Sequence, residues 1–220
     1  MQMLGTVLVG ISGVAWTVVY IELIRRGFRE RACGMPLFAL ALNLAWEWLY
    51  GLDGFFGSRS FIPAQSIANI AWALCDVAVL ATWLKFGRQY LPKWGQHFFV
   101  PYTCLALGFG FALQLAFYFN CGTMERASIY SAFAQNAAMS AMFIDQLLRR
   151  PDIKAQSQSI AIAKWLGTLA PTIYGQLNGN SLGNYILITG IVCCVFDLLY
   201  IALLRQRQRT LGRWADEEKA

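Results

Sequence analysis

Seven apolar runs, near residues 4–24, 36–56, 62–84, 98–119, 127–148, 160–178 and 183–204, follow one another with only short polar breaks. Each is close to the roughly 20 residues that a helix needs to cross a hydrocarbon core of about 30 Å. In that core the backbone must satisfy its own hydrogen bonds, and runs this long do so as helices. The chain is therefore read as all-α, a polytopic membrane protein built as a bundle of seven transmembrane helices. It reads as one domain over residues 1–220, with a short basic cytosolic tail from about residue 205. Hydrophobic residues make up 57% of the sequence and charged ones 14%, where a soluble domain carries about 25% charged residues. The connections leave no room for a soluble domain, and no internal repeat is evident. No basic segment precedes the first run, which is too long for a signal-peptide core, so a retained helix is expected there.

Charge sets the expected orientation. Arg25, Arg26, Arg29 and Arg31 follow the first run, Lys85, Arg88 and Lys93 the third, and Arg149, Arg150 and Lys154 the fifth. Arg205, Arg207, Arg209, Arg213 and Lys219 follow the seventh, against Arg59 and Arg126 at the opposite ends. This alternation predicts an outside or lumenal N-terminus and a cytosolic C-terminus. The membrane would be the endoplasmic reticulum in a eukaryote and the plasma membrane in a bacterium. The net charge of +6 is then accounted for by loops facing anionic lipid, and it gives no support to a nucleic-acid partner. Cys33, Cys75, Cys104, Cys121, Cys193 and Cys194 lack metal-ligand spacing and read as small packing residues. His97 lies in a basic loop and reads as solvated.

Acids inside the runs are the informative residues. Glu22 and Asp145 lie within a turn of Arg25 and Arg149 and read as interfacial. Glu47 lies about 16 Å along its helix from Pro36, Asp76 about 14 Å from Lys85, and Asp197 about 12 Å from Arg205. Inserting an acid at such depth costs at least about 2.5 kcal/mol, so the three are expected to face one another or a shared cavity. Asn43, Glu47 and Tyr50 share a helical face, as do Asn69, Trp72 and Asp76, while Tyr200 lies one turn beyond Asp197. Gln114, Tyr118, Gln135 and Asn136 add neutral hydrogen-bonding groups, which structural interhelical bonds would also explain.

Lys164 lies near the start of the sixth run and is read as unable to neutralise the acids. At least one acid is then expected to carry its proton at neutral pH, because desolvation and like charge both disfavour the carboxylate. A neutral carboxylic acid in an aromatic pocket is a proton donor, the role expected of Glu47. Trp46 and Trp48 are read as turned to lipid or packing, with cation stabilisation as the alternative if either lines the cavity.

The segments 34-GMPLFALALNLAWEWLYG-51, 131-SAFAQNAAMSAMFI-144, 164-KWLGTLAPTI-173 and 196-FDLLY-200 resemble the integral-membrane terpene cyclases of fungal meroterpenoid and indole-diterpene pathways, which have bacterial relatives. The resemblance covers most of the chain. It implies a cyclisation begun by protonating an epoxide or terminal alkene of a lipophilic prenylated substrate, with Glu47 and Asp197 as the essential acids and a carbocation cascade to follow. The sequence has neither an aspartate-rich DDxxD cluster nor a DxDD motif, so neither a metal nor another cofactor is expected.

The main alternative is a small seven-helix transporter of a polar solute, which predicts repeat symmetry and broken helices at matching positions. Pro171 interrupts the sixth run without a mate in the first half. A retinal protein would need a lysine deep in the last run, which has none.

Overall fold

The computed structural model describes residues 2–57, 63–179 and 182–217, with the side chains of residues 2, 63 and 212–217 excluded. Arg59, Lys219 and the side chain of Arg213, all part of the expected charge pattern, lie outside the described residues. The described residues form seven α-helices and no strand: α1 (Gln2–Arg29), α2 (Leu37–Phe56), α3 (Pro63–Phe86), α4 (Phe99–Asn120), α5 (Met124–Arg149), α6 (Gln158–Leu177) and α7 (Gly183–Glu217). Two short 3-10 turns, Gly87–Tyr90 and Lys93–Phe98, link α3 to α4. Local chemistry marks several boundaries. The Thr123 and Ser157 hydroxyls accept the Arg126 and Ile160 N–H groups at the starts of α5 and α6. Gly122 turns the chain between α4 and α5 at φ 83°, a conformation that costs glycine little. α7 runs to Glu217, so the expected basic tail continues as helix.

The helices close into a ring in the order α1, α3, α2, α5, α7, α6 and back to α1. α4 sits outside the ring against α2 and α5. Its close approach depends on Gly110, where a Cβ would meet the Ala41 carbonyl oxygen of α2 at 2.4 Å. The basic connections gather at one end of the ring. There Arg150 donates to the Cys33 carbonyl, Gln89 to that of Arg31, and Arg207 to those of Leu147 and Arg150. Glu22 pairs with Arg25 and Arg26, and Asp145 with Arg149.

Among the described residues, four helices are long and apolar enough to cross a membrane: those within Met3–Arg29, Ala64–Tyr90, Lys93–Asn120 and Gly183–Leu211. Seven were expected. α2, α5 and α6 fall short because polar side chains turned into the bundle lower their hydropathy. These include Asn43 and Glu47 on α2, Ser131 and Gln135 on α5, and Lys164 and Thr168 on α6, all buried. Outward-facing residues of the four apolar helices, such as Val14, Leu74, Leu105 and Ile188, are 58% or more exposed. A surface of that kind suits lipid.

Candidate active site

Glu47 projects from the middle of α2 and is 5% exposed. It borders a cavity of about 440 Å³ shared by α1, α2, α3, α5 and α6, within the range of small-molecule sites. The walls include one aromatic from each of these helices: Trp16 from α1, Trp46 from α2, Trp72 from α3, Phe133 from α5 and Tyr174 from α6. Glu47 Oε2 is buried without a hydrogen-bond partner. Trp46 follows Asn43 by three residues and so shares the Glu47 face. Its indole N–H donates to the Ser128 carbonyl at 3.1 Å, and the expectation that it faces lipid or packing is corrected. Trp48 does not line the cavity.

Beside the cavity, Asn43 is the centre of a buried polar chain. Its Nδ2 donates to the Tyr20 hydroxyl at 2.6 Å and to Asp76 Oδ2 at 2.8 Å, while its Oδ1 accepts Gln135 Nε2 at 3.3 Å. Gln114 reaches in from α4, donating to Gln135 Oε1 at 2.7 Å and to the Leu42 carbonyl at 3.3 Å. The Tyr20 hydroxyl donates to Asp76 Oδ2 at 3.3 Å. This chain links α1, α2, α3, α4 and α5, fixing the face of α2 that presents Glu47. Buried hydrogen bonds across five helices favour one arrangement of them, although Asp76 Oδ1 and Gln114 Oε1 are left without a partner.

Asp197 is elsewhere. Lys164 of α6 reaches it across the α6–α7 contact, with Nζ 2.7 Å from Asp197 Oδ1 and 2.7 Å from the Ser140 hydroxyl. Both residues are buried and Asp197 does not line the cavity. Two expectations are corrected: the three acids do not share one cavity, and Lys164 does supply a buried positive partner. Asp76 meets Asn43 but also stays off the cavity wall.

Pro171 does not break α6, which runs unbroken through it. Lacking an N–H, proline leaves the carbonyl four residues earlier, that of Gly167, without its helical donor. The Ser12 hydroxyl of α1 donates to that carbonyl at 2.7 Å. Ser12, Gly167 and Pro171 all line the cavity.

The model for Pyr4-like transmembrane terpene cyclases matches residues 1–210. The chain belongs to this family. A Pyr4-family terpene cyclase of Annulohypoxylon moriforme is 31% identical over 72% of this chain and 64% of its own length. The terpene cyclase Pyr4 of Aspergillus fumigatus is 23% identical over 90% of this chain and 84% of its own. A terpene cyclase of Acremonium egyptiacum is 43% identical over 34% of this chain, and the match covers 26% of that protein. The chain thus spans less than two thirds of the length of two of these relatives. No solved structure matches.

Of the residues expected at the site of this family member, Asn43, Glu47, Trp72, Gln135 and Asn136 line the cavity. Asn69 is fully buried beside it and accepts from Gln65 Nε2 at 2.7 Å. The rest lie apart. Tyr50 packs with Trp46 and Tyr118 and accepts from the Ser131 hydroxyl. Tyr118 donates to Asp53 at 2.6 Å, and Tyr200 to Gln156 at 3.0 Å. The sequence reading missed all of α1. Ser12, Trp16 and Tyr20 recur at steps of four, an aromatic and polar stripe on one helical face. Without an acid at its centre, that stripe did not stand out.

Proposed function

We propose that this protein is a membrane-embedded terpene cyclase in which Glu47 protonates an epoxide or terminal alkene of a prenylated acceptor. One observation carries the reading: Glu47 borders a cavity whose wall includes three indoles, and one oxygen of its carboxyl group is buried without a hydrogen-bond partner. Family membership supports the reaction class. With no cation against it, Glu47 carries its proton, and a proton held in a dry site is available to a weak base such as an epoxide oxygen.

Proton transfer to the oxygen loosens its carbon–oxygen bond as the neighbouring alkene attacks, forming a carbon–carbon bond and moving the cation along the chain. Protonation of a terminal alkene starts the same sequence without the oxygen. The cascade ends by loss of a proton or attack of an internal hydroxyl, so the net change is an isomerisation and the acid is restored. Trp16, Trp46 and Trp72 present aromatic surface to the cation, worth about 2 kcal/mol or more each where water is excluded. Asn43 and its partners hold Glu47 in place. Asp197, balanced by Lys164, lies off the cavity wall and serves as a fixed charge pair tying α6 to α7.

The substrate is lipophilic and reaches the cavity from the bilayer. The basic end of the ring faces the cytosol, with all seven helices in the membrane and its lipid around them. Neither a metal nor another cofactor takes part. The test uses washed membranes carrying wild type or Glu47→Gln, offered epoxidised and plain prenylated acceptors. The glutamine variant keeps the shape but cannot donate a carboxyl proton, so turnover falls at least about a hundredfold. Near wild-type turnover at equal expression would sink the reading.

A further inference from the structure

The cavity beside Glu47 does not end in a solid wall. Trp16 and Asn43 border it on one side and, on the other, border a second space walled by Val19, Leu23, Met35, Met139 and Phe143. This slot is a set of narrow gaps between apolar side chains, nowhere wide enough for a water molecule. Its polar borders are occupied elsewhere: Asn43 bonds Tyr20, Asp76 and Gln135, and Lys164 bonds Asp197 and Ser140. Trp16 keeps its seat through Gly167 of α6, where a Cβ would meet the indole Nε1 at 2.8 Å.

We propose that Trp16 sets the length of isoprenoid chain this protein accepts, its indole filling the place into which one further isoprene unit would extend. The proposal rests on the cyclase reading above, since it names the tail of that substrate. A dry apolar gap has no water to displace, and hydrocarbon entering it gains dispersion contacts that the gap forfeits. Met35 and Met139 are unbranched and flexible, so the walls can repack around a branched five-carbon unit. Asn43 and Lys164 are already engaged by protein partners, so the slot favours an apolar occupant over a polar one. Removing most of the indole joins the slot to the cavity and extends the apolar channel past Glu47.

The experiment compares matched acceptors with tails of three and four isoprene units, measuring kcat/KM in washed membranes for wild type and Trp16→Leu. In parallel, saturated-tail analogues of both lengths are titrated onto the purified protein in lipid nanodiscs. The four-to-three preference is expected to rise at least tenfold in Trp16→Leu, in turnover and in Kd alike. Adding Met139→Phe, which refills the slot, is expected to return it to the wild-type value. An unchanged preference in Trp16→Leu, or a gain that Met139→Phe does not reverse, overturns the proposal. Trp16→Phe provides the same comparison if the leucine variant does not fold. If wild type cyclises neither acceptor, the cyclase reading fails, and the Kd values still decide whether Trp16 limits chain length.

Discussion

Lys164 Nζ lies 2.7 Å from Asp197 Oδ1, with the two side chains 1% and 2% exposed. A pair this deep owes its persistence to mutual neutralisation. Removing one member strands the other charge and costs about 3–5 kcal/mol, whereas replacing both by apolar groups can be neutral. Lys164→Met and Asp197→Leu should therefore each lower the thermal midpoint of the detergent-purified protein. Lys164→Met combined with Asp197→Leu should recover most of the loss. Thermal unfolding of the four proteins checks this, and simple addition of the single losses would show that the residues do not act as a pair.

Asp76 accepts from Asn43 and Tyr20 through one oxygen, while its other oxygen is buried without a partner. An asparagine keeps the accepting oxygen. Asp76→Asn should retain kcat/KM within about threefold. Asp76→Ala orphans two donors at about 1–3 kcal/mol, and misplacing Glu47 by even part of that loses about tenfold. If asparagine proves as damaging as alanine, the carboxyl group itself is needed, as a charge or a proton carrier.

Glu30 lies just beyond α1 and accepts the Ala155 N–H at 2.7 Å and both Arg26 and Arg29 at 3.0 Å. Burial alone would raise its carboxyl, but these hydrogen bonds and the two arginine charges together hold it below the ordinary glutamate value. A lowered folded-state value contributes stability above the unfolded value of about 4.3 and loses it as pH falls through the folded value. Glu30→Gln should thus cost about 0.5–1 kcal/mol at neutral pH, allowing for solvent screening of a partly exposed group. The difference should fade as pH falls through the folded value. Midpoints measured against pH test this, and a gap that persists in acid would refute it.

The acids are dispersed: Asp197 is taken by Lys164, Asp76 by Asn43 and Tyr20, and Glu47 faces the cavity. Among the described residues, no group of three or more His, Cys, Asp or Glu side chains could hold a metal ion. Turnover in washed membranes should be the same with magnesium and with excess EDTA. Loss on chelation, restored by magnesium, would return the acids to a ligand role.

Glu47 was legible because a lone acid deep in an apolar run has few places to go, and its companions on α2 follow from helical geometry. Asn43 was found that way, and Trp72 through its place one turn before Asp76 on α3. Lys164 was not: counting residues from the helix start locates a Cα, whereas its long side chain carries the ammonium inward to Asp197. Trp16 escaped for a different reason. An aromatic on an apolar helix looks the same whether it faces lipid or a cavity, and only the packing of α6 against α1 through Gly167 distinguishes the two. All seven runs were legible as helices, but α2, α5 and α6 fall below the hydropathy of the other four, because the polar residues that build the interior dilute the apolar signal that marks a helix as membrane-crossing.

The hydroxyl that Ser12 lends to the Gly167 carbonyl also limits how the bundle can move. Sliding α1 along α6 would strand a carbonyl that Pro171 cannot re-engage, at about 1–3 kcal/mol in a low-dielectric interior. The seam between α1 and α3 has a cheaper fastening on the same stretch of α1, the Trp72 indole N–H donating to Thr17 at 3.2 Å on an exposed edge. The two seams of α1 are thus tied differently: to α6 by a bond that the helix itself cannot replace, and to α3 by a surface bond at the cavity rim with the buried Tyr20–Asp76 bond below it.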